Sequence, residues 1–595
     1  MKKSSIFILL MTVLLISLES LLSVNFTYAY ASGNIGLLTV SESNNNTEVG
    51  GIANLYLLVK PGSGRIFIDS FPLSKIDTQI TMRFAAEVAC DLLDKDCSNY
   101  DFFYTITANS AIVGGPSAGA AATVLTVSVL DNVPLDNTTI MTGTINSGNL
   151  IGPVAGVPAK ALAAQKSDYK RVLIPRWDVV NNTPDANLTI NVIPISTLET
   201  ALFYFTGKNY STQNSDLYTG GFSNDYTDMM RQVAVDLCSK YGTKNNGAIV
   251  LPNLTLYGVN ITNATQDNFV LALNAINNKS YYSAASFCFG GNVRITNVLM
   301  QNFTVNEQKI AYAKLLSNIT DFKRKLDAES TSISTISQLE TYMIVAQRLS
   351  EAKSILSDMS PENISISELA YATERFNTAV IWSRFSNFPG QKFVMDKDLM
   401  KIACTKKISE AEERLNYLEL YYPNSDIRSE LDKAYNYYNS ADYALCIFTS
   451  SQVKAESDIV LSAIFVPEID MDRLFDEKLN AARRVISKQE KANTFPILGY
   501  SYYEYALTLK NTDKYSSLLY AEYSLELSNI DMYFTKKAPL TLSNTINVDK
   551  SYIYMLVLGF VIGILVTLLI VLLLSRSKNV KKEKSGSRRK KLGRK

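Results

Sequence analysis

Ser117 lies in Gly114-Gly-Pro-Ser-Ala-Gly-Ala120, a run of small residues that follows a polar loop and opens an apolar stretch. Pro116 is preorganised for a first helical position. Gly115 and its small neighbours let a polypeptide backbone come close. The amides and partial positive charge of a helix start would stabilise an oxyanion there. A Gly-rich loop before a helix also suits phosphate, so this run alone leaves both chemistries open. Lys160 stands in Gly152-Pro-Val-Ala-Gly-Val-Pro-Ala-Lys160-Ala-Leu-Ala-Ala164, in the first turn of a helix expected from Pro158. An ordinary lysine, with a pKa near ~10.4, is protonated at neutral pH and cannot act as a base. Burial among small apolar residues and the positive end of a helix both disfavour the ammonium, and a neutral amine would take a proton from Ser117. The chain contains no histidine. That excludes Ser-His-Asp triads, Cys-His pairs and His-Glu-x-x-His zinc sites, so any hydrolytic base must be something other than imidazole. The reading calls for no cofactor and no metal.

The positioning elements read as an α/β unit over residues 32–206. Asn54–Val59 and Arg65–Asp69 are strand-like, separated by the turn Pro61-Gly-Ser-Gly64. Helices are expected over Ile80–Leu93 and Pro116–Leu130, and strands over Asp101–Thr107, Thr139–Ile145, Arg171–Ile174 and Leu188–Val192. Thr142, near the end of the Thr139–Ile145 strand, is placed for its hydroxyl to orient the Lys160 amine. Taken alone, a strand threonine is ordinary packing.

Together these segments resemble the proteolytic domain of Lon proteases. That family carries Gly-Pro-Ser-Ala-Gly, then a Met-Thr-Gly strand, then a Gly-Gly-x-x-x-Lys-x-x-Ala-Ala helix. Gly115–Gly119, Met141–Gly143 and Ala155–Ala164 follow in that order and spacing. Arg171-Val-Leu-Ile-Pro175 is similar to the strand after the family's base, and Ile193–Ile195 with Glu199–Leu202 to its closing strand and helix. The resemblance covers residues 33 to 206. It implies Ser117 as nucleophile, Lys160 as general base and Thr142 as the lysine's partner, with Gly115 and Pro116 shaping the turn. Gly114 and Thr144 stand where the family usually has acids, and Ala155-Gly156 replaces Gly-Gly. The Gly-x-x-x-x-Gly-Lys-Ser/Thr loop of an ATPase motor is absent from the sequence. The resemblance therefore implies ATP-independent cleavage of peptides or unfolded polypeptides. Lon relatives assemble into rings, which leaves a homo-oligomer open.

Beyond this unit, residues 207–304 read as a small disulfide-stapled linking region. Residues 305–540 show helical spacing, as a bundle or as repeat-like hairpins. At 595 residues, with 47% hydrophobic and 19% charged, the chain should be largely globular and multidomain. Residues 1–31 read as a secretory signal ending in Ala29-Tyr-Ala31, with an uncleaved anchor as the alternative. Residues 552–574 carry no charge and are expected to form a transmembrane helix. The tail 575–595 holds eleven Lys and Arg against Glu583 alone, which marks the cytoplasmic side and suits anionic lipid. The expected fold class is thus an α/β Lon-type domain, a mostly α-helical region and a C-terminal transmembrane helix. The body between the two hydrophobic ends is acidic, which argues against nucleic acid.

Six cysteines allow fifteen pairings; the local one joins Cys90–Cys97, Cys238–Cys288 and Cys404–Cys446. With the frequent Asn-x-Ser/Thr sequons, they fit a glycosylated exterior protein. Two functions compete: a membrane-anchored extracytoplasmic serine endopeptidase, and a catalytically idle Lon-like surface scaffold or binding protein. A Ser-x-x-Lys enzyme of the β-lactam type fails on spacing, because no lysine lies three residues after Ser117.

Overall fold

The computed structural model describes residues 31–42, 48–177, 188–211, 223–240, 244–245, 248–249, 263–423, 426–535 and 557–573. The chain divides into two units, Met1–Lys537 and Ala538–Lys595.

Alternating apolar residues such as Leu55, Leu57 and Val59 give half-buried strands, and the first unit begins as a mixed sheet. The strands are β1 (Ala31–Glu42), β2 (Glu48–Pro61), β3 (Ile66–Ser74), β4 (Tyr100–Val113), β5 (Thr139–Met141), β8 (Arg171–Pro175) and β9 (Asn191–Ile195), in the order β3-β4-β2-β1-β5-β8-β9. β1 and β2 pair antiparallel, as do β2 and β4; β1, β5, β8 and β9 run parallel. A short ribbon of β6 (Thr144–Ile145) and β7 (Ile151–Gly152) hangs from the end of β5.

Helices cover both faces. Met141 and Leu173 share a core with α1 (Ile76–Leu92), α2 (Gly119–Asp131) and α4 (Leu198–Thr206), while Ile140, Val172 and Ile174 pack with α3 (Val157–Lys166). The strand period of two sends neighbouring residues to opposite sides, so α2 and α3 lie on opposite faces. α2 is buried from Gly119 to Leu130. Its hydroxyls are satisfied internally: Thr126 donates to the Ala122 carbonyl (2.7 Å) and lies 2.8 Å from the Tyr104 hydroxyl.

A helical region follows: α5 (Asn224–Cys238), α6 (Asn263–Asn277), α7 (Tyr281–Gln301), α8 (Val305–Ser330), α9 (Ile336–Ser357), α10 (Ile366–Trp382), α11 (Lys397–Glu419), α12 (Ile427–Asn439), α13 (Tyr443–Phe465), α14 (Met471–Lys491), α15 (Ile497–Leu509) and α16 (Lys514–Ser528). Thr304 with Glu307 and Thr335 with Gln338 form capping boxes that start α8 and α9. The disulfides are Cys90–Cys97, Cys238–Cys288 and Cys404–Cys446, the last tying α11 to α13.

A mixed α/β part followed by a mostly helical one fits the expected fold class, but its transmembrane component is corrected. Among the described residues no helix is long and apolar enough to cross a membrane. In the second unit the described helix covers residues 557–573, and the rest of the expected span, 552–556 and 574, lies outside the described residues. The leader 1–31 (Ala31 apart), the basic tail 575–595 and, within 207–304, residues 212–222 and 250–262 lie outside the described residues.

Candidate active site

The expected helix from Pro116 is divided. Pro116–Ala118 form a single 3-10 turn, and α2 begins only at Gly119. Ser117 is the central residue of that turn and is half-buried. Gly115, just before it, has φ 101° and ψ 151°, a conformation open to glycine and strained for any side chain. The Gly115 amide donates to Asp77 Oδ2 at 3.0 Å. Asp77 also accepts from the Thr78 amide through Oδ1 at 2.6 Å, so one carboxylate in the first turn of α1 braces both the helix start and the serine turn.

The expected continuous strand Thr139–Ile145 is broken at the same place. Thr142 and Gly143 leave the β5 ladder and bond to the serine turn. The Gly143 amide donates to the Ser117 carbonyl (3.0 Å), and the Ala120 amide donates to the Gly143 carbonyl (3.1 Å). The Thr142 hydroxyl, fully buried, donates to the Ser117 carbonyl at 3.4 Å. Thr142 is also held from the sheet side, its amide donating to the Leu173 carbonyl at 3.1 Å. The structure thus brings Ser117 and Thr142 together through backbone as well as side chain.

Lys160 lies in the first turn of α3, with Val157, Ala161, Ala163 and Ala164 buried around it, and is itself only 2% exposed. Its amide donates to the Gly156 carbonyl at 3.0 Å. Close packing of α3 on β2 needs Gly50, where an added Cβ would fall 2.0 Å from the Ala159 carbonyl oxygen. Gly156 abuts Val40. β1 pairs with β5 in parallel at Leu37 and Met141, so Val40 lies past the C-terminal end of β5. Ser117 and Lys160 therefore reach the same end of β5 from opposite faces of the sheet, the end at which open parallel sheets place ligands.

The helical region builds one wall of this end. Arg414 Nη2 donates to Asn146 Oδ1 (2.6 Å), Lys454 Nζ lies 3.3 Å from Ser147 Oγ, and the Tyr417 hydroxyl accepts from the Ala155 amide (3.2 Å). Leu150 packs with Ala481, Ala482 and Leu525. A small gap of about 10 Å³ is lined by Pro116, Thr144 and Ile145 from one side and by Glu410, Glu413, Arg414 and Lys454 from the other.

Those charges are buried and paired. Lys454 binds Glu410 (3.0 Å) and Glu526 (3.1 Å), Lys407 binds Glu526 (2.6 Å), and Arg414 binds Asp458 (2.9 Å). Burial alone would raise Glu526, but Lys407 and Lys454 outweigh it and hold the carboxyl at about 2. Such a network adds little net stability, yet removing one member leaves an uncompensated buried charge.

Residues 92–203 match the family model of the Lon protease (S16) C-terminal proteolytic domain. The Lon protease of Rickettsia bellii is 28% identical over 168 residues, 26% of this chain and 21% of its own. The archaeal Lon protease of Thermoplasma acidophilum is 30% identical over 143 residues, 24% of this chain and 22% of its own. Lon protease 2 of Bacillus subtilis is 40% identical over 78 residues, 13% of this chain and 14% of its own. The chain spans about a fifth of the length of the first two relatives.

Proposed function

The chain carries a Lon-type serine-peptidase domain, and from that premise we propose that it is a serine endopeptidase acting on peptides and unfolded polypeptides through Ser117 and Lys160. The observation that carries the reading is convergence at one strand end. The serine turn, braced by Asp77 and Gly143, lies at the C-terminal end of β5, and the helix start that bears the buried Lys160 abuts Val40 beside that same end.

In the proposed cycle Lys160, acting as a neutral amine, accepts the Ser117 hydroxyl proton. The Ser117 oxygen adds to the scissile carbonyl, and the positive end of α2 stabilises the oxyanion. The tetrahedral species collapses to an ester on Ser117, and the leaving amine takes the proton back from Lys160. A water molecule, deprotonated by Lys160, then hydrolyses the ester. Thr142 acts as a positioning residue, because it fixes the Ser117 carbonyl.

Two finer features belong to the proposal. The chemistry is independent of ATP, supported by the absence of a Gly-x-x-x-x-Gly-Lys-Ser/Thr loop from these 595 residues. The place of action lies outside the cytoplasm, supported by three disulfides with no free cysteine among the described residues.

The test is cleavage of casein and of unstructured peptides by the purified chain without nucleotide, with Ser117→Ala and Lys160→Ala as controls. Cleavage abolished in both variants is the expected result. Cleavage that persists in both sinks the assignment, and a folded wild-type chain inert on every substrate favours an idle scaffold.

A further inference from the structure

The helical region holds a cavity of about 370 Å³, lined by residues of α5, α7, α9, α10, α13, α15 and α16 and none from the sheet. That volume falls in the range that holds small ligands. Its walls are rich in aromatic side chains, including Tyr282, Phe289, Trp382, Tyr502 and Tyr520. Two arginines line it, and they differ. Arg375 is engaged by Glu351, through Nε at 2.7 Å and Nη2 at 2.5 Å. Arg348 is 7% exposed, and its Nε and Nη1 are buried with no hydrogen-bond partner. Its guanidinium lies over the Trp382 ring, 4.8 Å from the centroid.

Arg348 thus presents open donors to the cavity. The hydroxyls of Tyr282, Tyr502 and Tyr520 make no hydrogen bond among the described residues, although all three side chains line the same cavity. The carboxylate that acts on Arg348, Glu351, is already occupied by Arg375 and the Tyr371 hydroxyl (2.8 Å). A buried cation without a counterion is costly, as is each buried donor without an acceptor. An anion in the cavity would satisfy the open donors of Arg348.

The charge sets its type. One guanidinium is free and no lysine lines the cavity, which matches a monoanion better than a phosphate dianion. A guanidinium fork fits a carboxylate geometrically, and the aromatic walls fit a ring or apolar body beside it. We infer that this cavity is a binding site for an organic carboxylate with an aromatic or apolar body, the carboxylate on Arg348 and the body among Tyr282, Trp382, Tyr502 and Tyr520. Burial and the neighbouring Arg375 bring the Arg348 guanidinium down to about 10, so it stays charged at neutral pH. A free aromatic acid and the C-terminal residue of a peptide share this chemistry.

The test is calorimetric titration of the full chain, together with the fluorescence of Trp382 in a Trp177→Phe background. The probes are N-acetyl-phenylalanine, its neutral amide, phenyl phosphate, and a tetrapeptide ending in phenylalanine. The carboxylate should bind one per chain and quench Trp382, with the amide at least about tenfold weaker and phenyl phosphate no tighter. Tighter binding of the tetrapeptide than of the free acid identifies a peptide terminus as the source; the reverse identifies a free acid. Arg348→Met should weaken the carboxylate at least about tenfold while leaving the amide unchanged. Tyr502→Phe, which removes one donor and keeps the ring, should weaken it severalfold and guards against misfolding of the first variant. Equal affinity for acid and amide, tighter phenyl phosphate, no binding of any probe, or unchanged binding in Arg348→Met would overturn the assignment.

Discussion

Arg414 donates to Asn146 across 2.6 Å, and this bond joins α11 to the ribbon that carries the chain from Thr142 to Lys160. The helical region is thereby part of the site's frame. Arg414→Met removes that bond and leaves Asp458 buried without its partner. A loss of about 3–5 kcal/mol is expected from the uncompensated charge. Adding Asp458→Asn should recover part of it without restoring the ribbon contact. Urea midpoints of the single and double variants, read beside peptide cleavage, separate the two effects.

Asp77 holds the Gly115 amide and the start of α1 together. In Asp77→Ala the serine turn loses its brace. The turn sets where the Ser117 oxygen sits, so kcat should fall about 10–100-fold with KM little changed. Asp77→Asn keeps an acceptor oxygen and should fall less. A rise in KM at constant kcat would instead place Asp77 in substrate binding.

The Cys404–Cys446 bridge ties α11 to α13 across 42 residues of chain, and these helices carry Arg414 and Lys454. Cys404→Ser with Cys446→Ser should cost about 2–5 kcal/mol. The loss should show as a lower Tm by calorimetry, matched by the wild-type chain in reductant.

Glu413 gives the chain a pH signature. Burial, opposed by Arg414 and aided by Asp458, pushes its carboxyl up from 4.5 to about 7. Between those values the native state keeps a proton that the unfolded chain has released. The contribution to stability is full below the unfolded value and is lost as pH rises through the folded one. The loss is on the order of 3 kcal/mol. Glu413→Gln should flatten the fall in stability between pH 5 and pH 8 (about one pH unit outside the window on the alkaline side), measured by urea denaturation at each pH.

Ser117, Thr142 and Lys160 stand out in the sequence because each sits in a short run of small residues that resembles a Lon-family motif. Asp77 is not. It lies 38 residues before Gly115 and carries no local motif; only the fold brings its carboxylate to that amide. The break of the strand after Met141 is equally silent, since Gly143 turns from the sheet to bond Ser117 and Ala120. Lys407, Glu410 and Arg414 recur at helical spacing on α11, with nothing local to mark them as buried. Their burial depends on α13, α16 and the ribbon, which no local pattern announces. The uncharged stretch 552–574 reads as a span on composition alone, whereas no helix among the described residues is long and apolar enough to cross a membrane.

The most direct test of the central claim is covalent. A peptidyl β-lactone acylates an attacking hydroxyl, and intact mass with peptide mapping locates the adduct. The account predicts one adduct per chain, on Ser117, absent from Ser117→Ala and formed at least ~100-fold more slowly in Lys160→Ala. An adduct on another residue, or equal rates in wild type and Lys160→Ala, would contradict it.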